Sequence, residues 1–276
     1  MSDAFVSVNG LRLHYVEWGP PQSIPIILLH GSRGHAHVWD AFASAVAAEY
    51  RVLALDQRGH GESDWASSYR AEDYASDLES FVEALRLPPF VLIGHSMGSL
   101  HGMIYAGRHP GRLQGLVLID IEACPPPQQK QHLNGQGSRP ARVFDSLEDA
   151  YKLEQGTAPE APAELMRLVT EHNLRPLEDG RLIQKYDQAT LRDFEQYDCR
   201  ACLPRISCPT LILRGTESIV MRDEVAREMQ RAIPGCRYQQ IEGATHLVFL
   251  SRPREFERAV RQFLTSLPGG GGRGVT

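Results

Sequence analysis

The sequence predicts an α/β fold, a mostly parallel sheet covered by helices on both faces, and two observations carry that expectation. Short β-branched and aliphatic runs at 24–29, 51–55, 90–93 and 116–119 are apolar apart from Arg51 at the start of one, as strands buried on two sides must be. Between them, 38–48, 71–85 and 97–108 show helical periodicity, and strand alternating with helix is the pattern of parallel connections. With 42% hydrophobic and 23% charged residues among 276, the chain can bury one large core.

Taken in order, residues 11–17 alternate like a strand with one wet face, and the buried strands and helices above follow. After Asp120 the texture changes. Pro125, Pro126 and Pro127 break any helix, and a polar Gln/Gly/Arg segment runs to Arg142. Amphipathic helices are expected at 146–155 and 161–172, then a hairpin over 174–186 turning at Asp179-Gly180. Sheet logic resumes with a strand at 210–214, a helix at 222–232, a strand at 237–241 and a last helix from Pro253 to Leu267. The implied organisation is a core in two parts, 1–124 and 206–267, interrupted by an insertion at 125–205 placed to act as a lid. The tail 268–276, with four consecutive glycines, is expected to be disordered.

A net charge of −5 and the lack of any Lys/Arg run argue against a nucleic-acid partner and for a small molecule. The N-terminal residues lack a basic segment followed by an apolar stretch, and no apolar run is long enough to span a bilayer, so a cytoplasmic location without membrane association is expected. Five cysteines, including Cys199-x-x-Cys202, are too few and too unevenly placed for a disulfide framework or a zinc finger.

Gly94-His95-Ser96-Met97-Gly98 fits G-x-S-x-G at the junction of a strand and a helix. A serine there sits on a sharp turn above the sheet, with a helix N-terminus pointing at its oxygen, where negative charge is favoured. Three further motifs occur in order: His30-Gly31-Ser32 after a strand, Asp56-Gln57-Arg58-Gly59-His60-Gly61-Glu62-Ser63 after the next, and Gly243-Ala244-Thr245-His246 before a terminal helix. In these four motifs the chain resembles the α/β-hydrolase superfamily over nearly its whole length. The resemblance implies an eight-stranded sheet, a serine nucleophile and no metal or organic cofactor.

A serine hydroxyl is a weak nucleophile and needs a base beside it. His246 alone among eleven histidines follows the last expected strand, where the resembling family keeps its base. By the same resemblance the backbone N–H groups of Ser32 and Met97 form the oxyanion hole, and the Asp56–Arg58 turn is architectural. His95 is expected in the site wall, His30 as a loop-shaping residue. Arg33 is either a solvated charge or a contact for an anionic part of the substrate. His30, His35 and His37 invite a metal reading, but no carboxylate is expected at a matching spacing, so no metal is assigned.

The acid is the point of departure. Three residues past Gly215, where the family most often has it, stands Ser218. Asp120, ending the strand 116–119, is the first choice, as in relatives that place the acid after the preceding sheet strand; Glu217 is the second and Glu122 a distant third. The expected activity is hydrolysis of a small, lipophilic carboxylic ester or lactone through an acyl-enzyme on Ser96. The nucleophile excludes epoxide hydrolases and haloalkane dehalogenases of this fold, which carry aspartate at that position. Carbon–carbon bond hydrolysis of a ring-cleavage product, and a non-enzymatic ligand receptor, remain as alternatives.

Overall fold

The structure, a computed structural model, describes residues 1–268. The expectation for the tail falls outside the described residues except at Pro268. Strands β1 (Ser2–Val8), β2 (Leu11–Trp18), β3 (Ile24–Leu29), β4 (Tyr50–Leu55), β5 (Phe90–His95) and β6 (Leu113–Ile119) are followed, past the insertion, by β10 (Thr210–Gly215) and β11 (Arg237–Ile241). They form one eight-stranded sheet in the order β1-β2-β4-β3-β5-β6-β10-β11. The β1–β2 and β2–β4 pairs are antiparallel and the rest parallel.

Alternation along each strand sorts its side chains into two apolar layers. Ile27, Leu29, Leu53, Leu55, Leu92 and Leu118 face helices α2 (Ala71–Ala84) and α3 (Met97–Arg108). Ile26, Leu28, Val52, Ile93, Val117 and Leu213 face α1 (Asp40–Val46) and α10 (Pro253–Thr265). Helix α10 contributes Phe256, Val260, Phe263 and Leu264, all buried, and each such side chain stabilises the fold by about 1.5–3 kcal/mol. Because both faces are covered, the strand ends are the exposed rim, and the site sits at their C-terminal edge.

The sequence reading overlooked β1. Asn9 and Gly10, both at positive φ, form a two-residue turn that joins β1 to β2 in register Val8↔Leu11. It also denied a helix after the prolines, yet α4 spans Pro127–Gly137. Pro127 is the first helical residue, where its missing N–H costs nothing. The helix is held by Asn134, whose amide nitrogen lies 2.8–3.2 Å from the carbonyls of Leu191, Arg192 and Phe194.

Between β6 and β10 the chain also forms β7 (Val143–Phe144), α5 (Leu147–Thr157), α6 (Ala163–His172), β8 (Leu174–Pro176), β9 (Leu182–Gln184) and α7 (Ala189–Arg192). The three short strands make a separate sheet, β7-β9-β8. Met166 and Val169 of α6 are buried, whereas Leu168 is exposed. This segment is fastened to the turn after β4: Asp187 N–H donates to the Gly59 carbonyl at 2.8 Å, and Tyr69 Oη donates to Asp187 at 2.7 Å. The remaining helices are α8 (Asp223–Ala232) and the short α9 (Val248–Ser251). No helix among the described residues is long and apolar enough to cross a membrane.

Candidate active site

Strand β5 ends at His95 and α3 begins at Met97, leaving Ser96 alone to make the turn at φ 51°, ψ −120°. A non-glycine residue there costs about 1–3 kcal/mol, so the surroundings must hold it. They do so by close approach. A Cβ on Gly94 would lie 2.4 Å from the Gly98 carbonyl oxygen, and one on Gly98 would lie 2.5 Å from that of Leu29. The turn is thereby pressed onto the end of β3, and Ser96 N–H donates to Ile119 O at 2.9 Å on the other side.

The loop after β3 meets this elbow directly. A Cβ on Gly31 would stand 2.9 Å from the Cβ of Ser96, and Ser32 Oγ lies 3.6 Å from Met97 Sδ. Among the described residues, the backbone N–H groups of Ser32 and Met97 have no carbonyl partner, which leaves both free to donate beside Ser96. The loop is shaped by His30. Its Nδ1–H donates to Gly31 O at 2.7 Å, and its Nε2 accepts Gln57 N–H at 3.1 Å. Burial pushes the His30 pKa down, consistent with this neutral tautomer.

His246 stands on the loop between β11 and α9, its side chain 28% exposed. Its Nδ1 lies 2.7 Å from Asp120 Oδ2, across 126 residues of sequence. Asp120 is fully buried at φ 52°. It also accepts Gly215 N–H at 3.1 Å on Oδ1 and the Ser218 hydroxyl on Oδ2. Glu217 is exposed and, among the described residues, makes no side-chain hydrogen bond, so the structure does not bring it to His246. Glu122 is occupied elsewhere, in a two-pronged pair with Arg222 at 2.8 Å.

The imidazole of His246 packs against that of His95, ring centroids 4.6 Å apart, which sets it beside the elbow. Among the described residues Ser96 Oγ has no hydrogen-bond partner, His246 included, while Ser96 keeps 8% of its surface exposed. Nucleophile–base contacts of this kind commonly tighten only when substrate is bound.

One expectation changes. His95 is 3% exposed and turns inward, its Nε2–H donating to the His246 carbonyl at 3.0 Å, so it braces the base's loop where a wall contact was expected. Burial drives its pKa well down, and the neutral ring serves as a fixed donor. Arg33 is exposed, and its guanidinium makes no hydrogen bond among the described residues. Its charge acts across to the insertion: burial raises the Glu154 pKa and Arg33 pulls it back, with the same opposition at Tyr186.

The Asp56 turn is a buried framework. Its carboxylate accepts His14 Nδ1–H at 2.7 Å, Ala36 N–H at 2.5 Å and Glu62 N–H at 2.9 Å. Burial works against its charge, yet the His14 hydrogen bond together with the charges of the neighbouring histidines holds the carboxyl well below its usual range. Arg58 grips Asp77 through Nε at 2.6 Å and Nη2 at 2.7 Å.

The premise that no carboxylate stands at a matching spacing needs correction. Asp40, three residues after His37, does supply a carboxylate at 3.1 Å from His37 Nδ1, and His172 of α6 stacks on His37. Sequence spacing could have shown Asp40, whereas His172 arrives only through the fold. All five cysteines are free thiols.

A doubly covered, mostly parallel sheet with a strand–turn–helix elbow at its carboxyl edge is the architecture of one class of hydrolases. Residues 24–253 match the family described as alpha/beta hydrolase fold, and the chain belongs to that family. It is 29% identical to a non-heme chloroperoxidase of Kitasatospora aureofaciens, covering 93% of this chain and 97% of that protein. It is 25% identical to the 2-(acetamidomethylene)succinate hydrolase of Mesorhizobium japonicum, covering 95% and 96% respectively. The crystal structure of E-2-(acetamidomethylene)succinate hydrolase superposes with a TM-score of 0.88 at 23% identity, covering 96% of this chain and 99% of that one. The protein is a hydrolase of this fold.

Proposed function

We propose that the protein is a serine hydrolase that cleaves a small carboxylic ester or lactone through an acyl-enzyme on Ser96. The observation that carries this reading is the His246 Nδ1–Asp120 Oδ2 contact of 2.7 Å, held beside a strained elbow serine. Asp120 fixes the tautomer that leaves His246 Nε2 unprotonated and stabilises the imidazolium that forms. His246 takes the Ser96 proton as Oγ attacks the carbonyl carbon. The N–H groups of Ser32 and Met97 receive the oxyanion, each worth about 2.7–4 kcal/mol at the transition state. His246 then gives the proton to the leaving oxygen, and water, activated by the same base, releases the acid.

The insertion from α4 to α7 serves as the lid over this site, and Arg33 greets the substrate at its edge. An unpaired guanidinium next to the oxyanion loop favours an ester that carries a carboxylate. The succinate in the hydrolase relative's name is a dicarboxylate, which supports the same preference.

The test is a panel of p-nitrophenyl esters of graded chain length, lactones, thioesters and diketones, with and without a carboxylate, run on wild type, Ser96→Ala and Arg33→Ala. Multiple turnovers lost in Ser96→Ala, by about five to six orders of magnitude in kcat, support the proposal. Turnover that survives the substitution overturns it. Selective diketone cleavage would move the reading to carbon–carbon hydrolysis, and stoichiometric labelling without turnover would move it to a receptor.

A further inference from the structure

A second cluster of chemistry-bearing side chains lies outside the Ser96 site, where the insertion meets the core. His37 sits in the turn Ala36–Trp39, Asp40 is the first residue of α1, and His172 is the last of α6. One ligand atom of each lies within 4.8 Å of the other two, the sole such group of three among the described residues. His37 Nδ1 is 3.1 Å from both carboxylate oxygens of Asp40, and the His37 and His172 rings stack with centroids 3.8 Å apart.

We propose that His37, Asp40 and His172 bind a divalent transition-metal ion that clamps the insertion to the segment following the oxyanion loop. Two imidazoles and a carboxylate form a donor set suited to Zn2+, Co2+ or Ni2+ and poorly suited to Mg2+ or Ca2+, which prefer all-oxygen shells. Bonds of about 2.0–2.1 Å in a tetrahedral site put neighbouring ligand atoms about 3.3 Å apart. The His37–Asp40 separation already matches, whereas the His172 ring, stacked on His37 with the two planes 18° apart, turns out of that stack to aim a nitrogen at the same ion. The ion takes the place of the hydrogen on His37 Nδ1, and the neutral ring then carries its proton on Nε2, on the side of Asp3.

The surroundings leave room for further ligands. A crevice of about 190 Å³ adjoins the cluster, lined by Asp3, His35, His37, His172, Glu62 and Lys185 among others. Asp3 Oδ1 lies 3.7 Å from His37 Nε2. His35 donates from Nε2 to Val169 O at 3.0 Å, and its buried Nδ1 has no partner. Lys185 in the lining is paired with Glu62 at 2.5 Å, which offsets its repulsion of an ion. All three proposed ligands are half-buried, so an ion can enter from solvent. Bound there, it ties the C-terminus of α6 to residues that follow Ser32 closely in sequence.

The experiment is calorimetric titration of the chelator-treated full-length protein with Zn2+ alone, with thermal melts and Co2+ visible spectra, on wild type, His37→Ala, Asp40→Asn and His172→Gln. Wild type should bind about one equivalent with a raised Tm, and each substitution should weaken binding about tenfold or more and abolish the Tm rise. His172→Gln is decisive if another variant folds poorly, because the His172 side chain makes no hydrogen bond among the described residues. No saturable binding by wild type, or binding and a Tm shift unchanged in the variants, overturns the proposal. The second outcome would place the ion elsewhere, with the cysteines or His246 as candidates.

Discussion

The hydroxyl of Ser218 donates to the carboxylate of Asp120, joining the ends of two neighbouring parallel strands. Ser218 occupies the position at which the family most often carries its acid. A carboxylate stands one strand over instead, and the Ser218 hydroxyl hydrogen-bonds it. The exchange works because β6 and β10 run side by side, with Ile119 opposite Leu213, so either loop can reach the same imidazole nitrogen.

That adjacency predicts a transferable acid. Asp120→Asn should lower kcat by about 10⁴ with little change in substrate binding, and Glu217→Gln should change it less than about twofold. The double variant Asp120→Asn/Ser218→Asp should recover a substantial part of the loss. Steady-state kinetics on one ester decide it, and a double variant no better than the single one would refute the equivalence of the two positions.

His95 is expected to act through His246, since it hydrogen-bonds the His246 carbonyl and packs on its imidazole. His95→Ala should lower kcat by about tenfold to a hundredfold while KM holds, because the base shifts from its place. His95→Gln, which can offer a donor near the same point, should restore most of it. A loss of Tm with kcat intact would mean that the contact serves stability alone.

Gly61 lies at φ 56°, and a Cβ there would stand 2.1 Å from Asp56 Oδ2. Gly61→Ala should therefore dislodge the buried Asp56–His14 pair and cost about 3–5 kcal/mol. Urea unfolding measures it; a cost below about 1 kcal/mol would show that the turn yields freely.

Acid should destabilise the fold through its buried histidines. Burial pushes His35, His60 and His101 down to about 3, so each stays neutral in the folded chain while an unfolded one protonates near 6.5. Between those values the unfolded state binds more protons, and each group removes up to about 1.4 kcal/mol of stability per unit fall in pH. His14 opposes this. Burial lowers its pKa, but Asp56 and Asp3 raise it further, so its contribution is present below about 6.5 and fades as pH rises through its folded value. Urea melts at pH 7, 6 and 5 should show stability falling with pH, and His101→Gln should remove about one proton from the slope. A flat profile would contradict the buried neutral state.

The sequence by itself determined what local pattern determines. Two-sided apolar runs specified the central strands, with Ile24–Leu29 found at the boundaries read from the chain, and the polar edge strand Arg237–Ile241 was legible at its boundaries as well. Glycines around Ser96 specified the elbow, because only that spacing lets a turn press against β3. Tertiary structure alone decided which carboxylate meets His246, since Asp120 and Glu217 both follow sheet strands and differ only in where their side chains arrive. It likewise decided that His95 faces inward and that His172 comes to His37. Contacts between groups far apart in the chain depend on how strands are ordered and how the insertion docks, and no periodicity along the sequence records either.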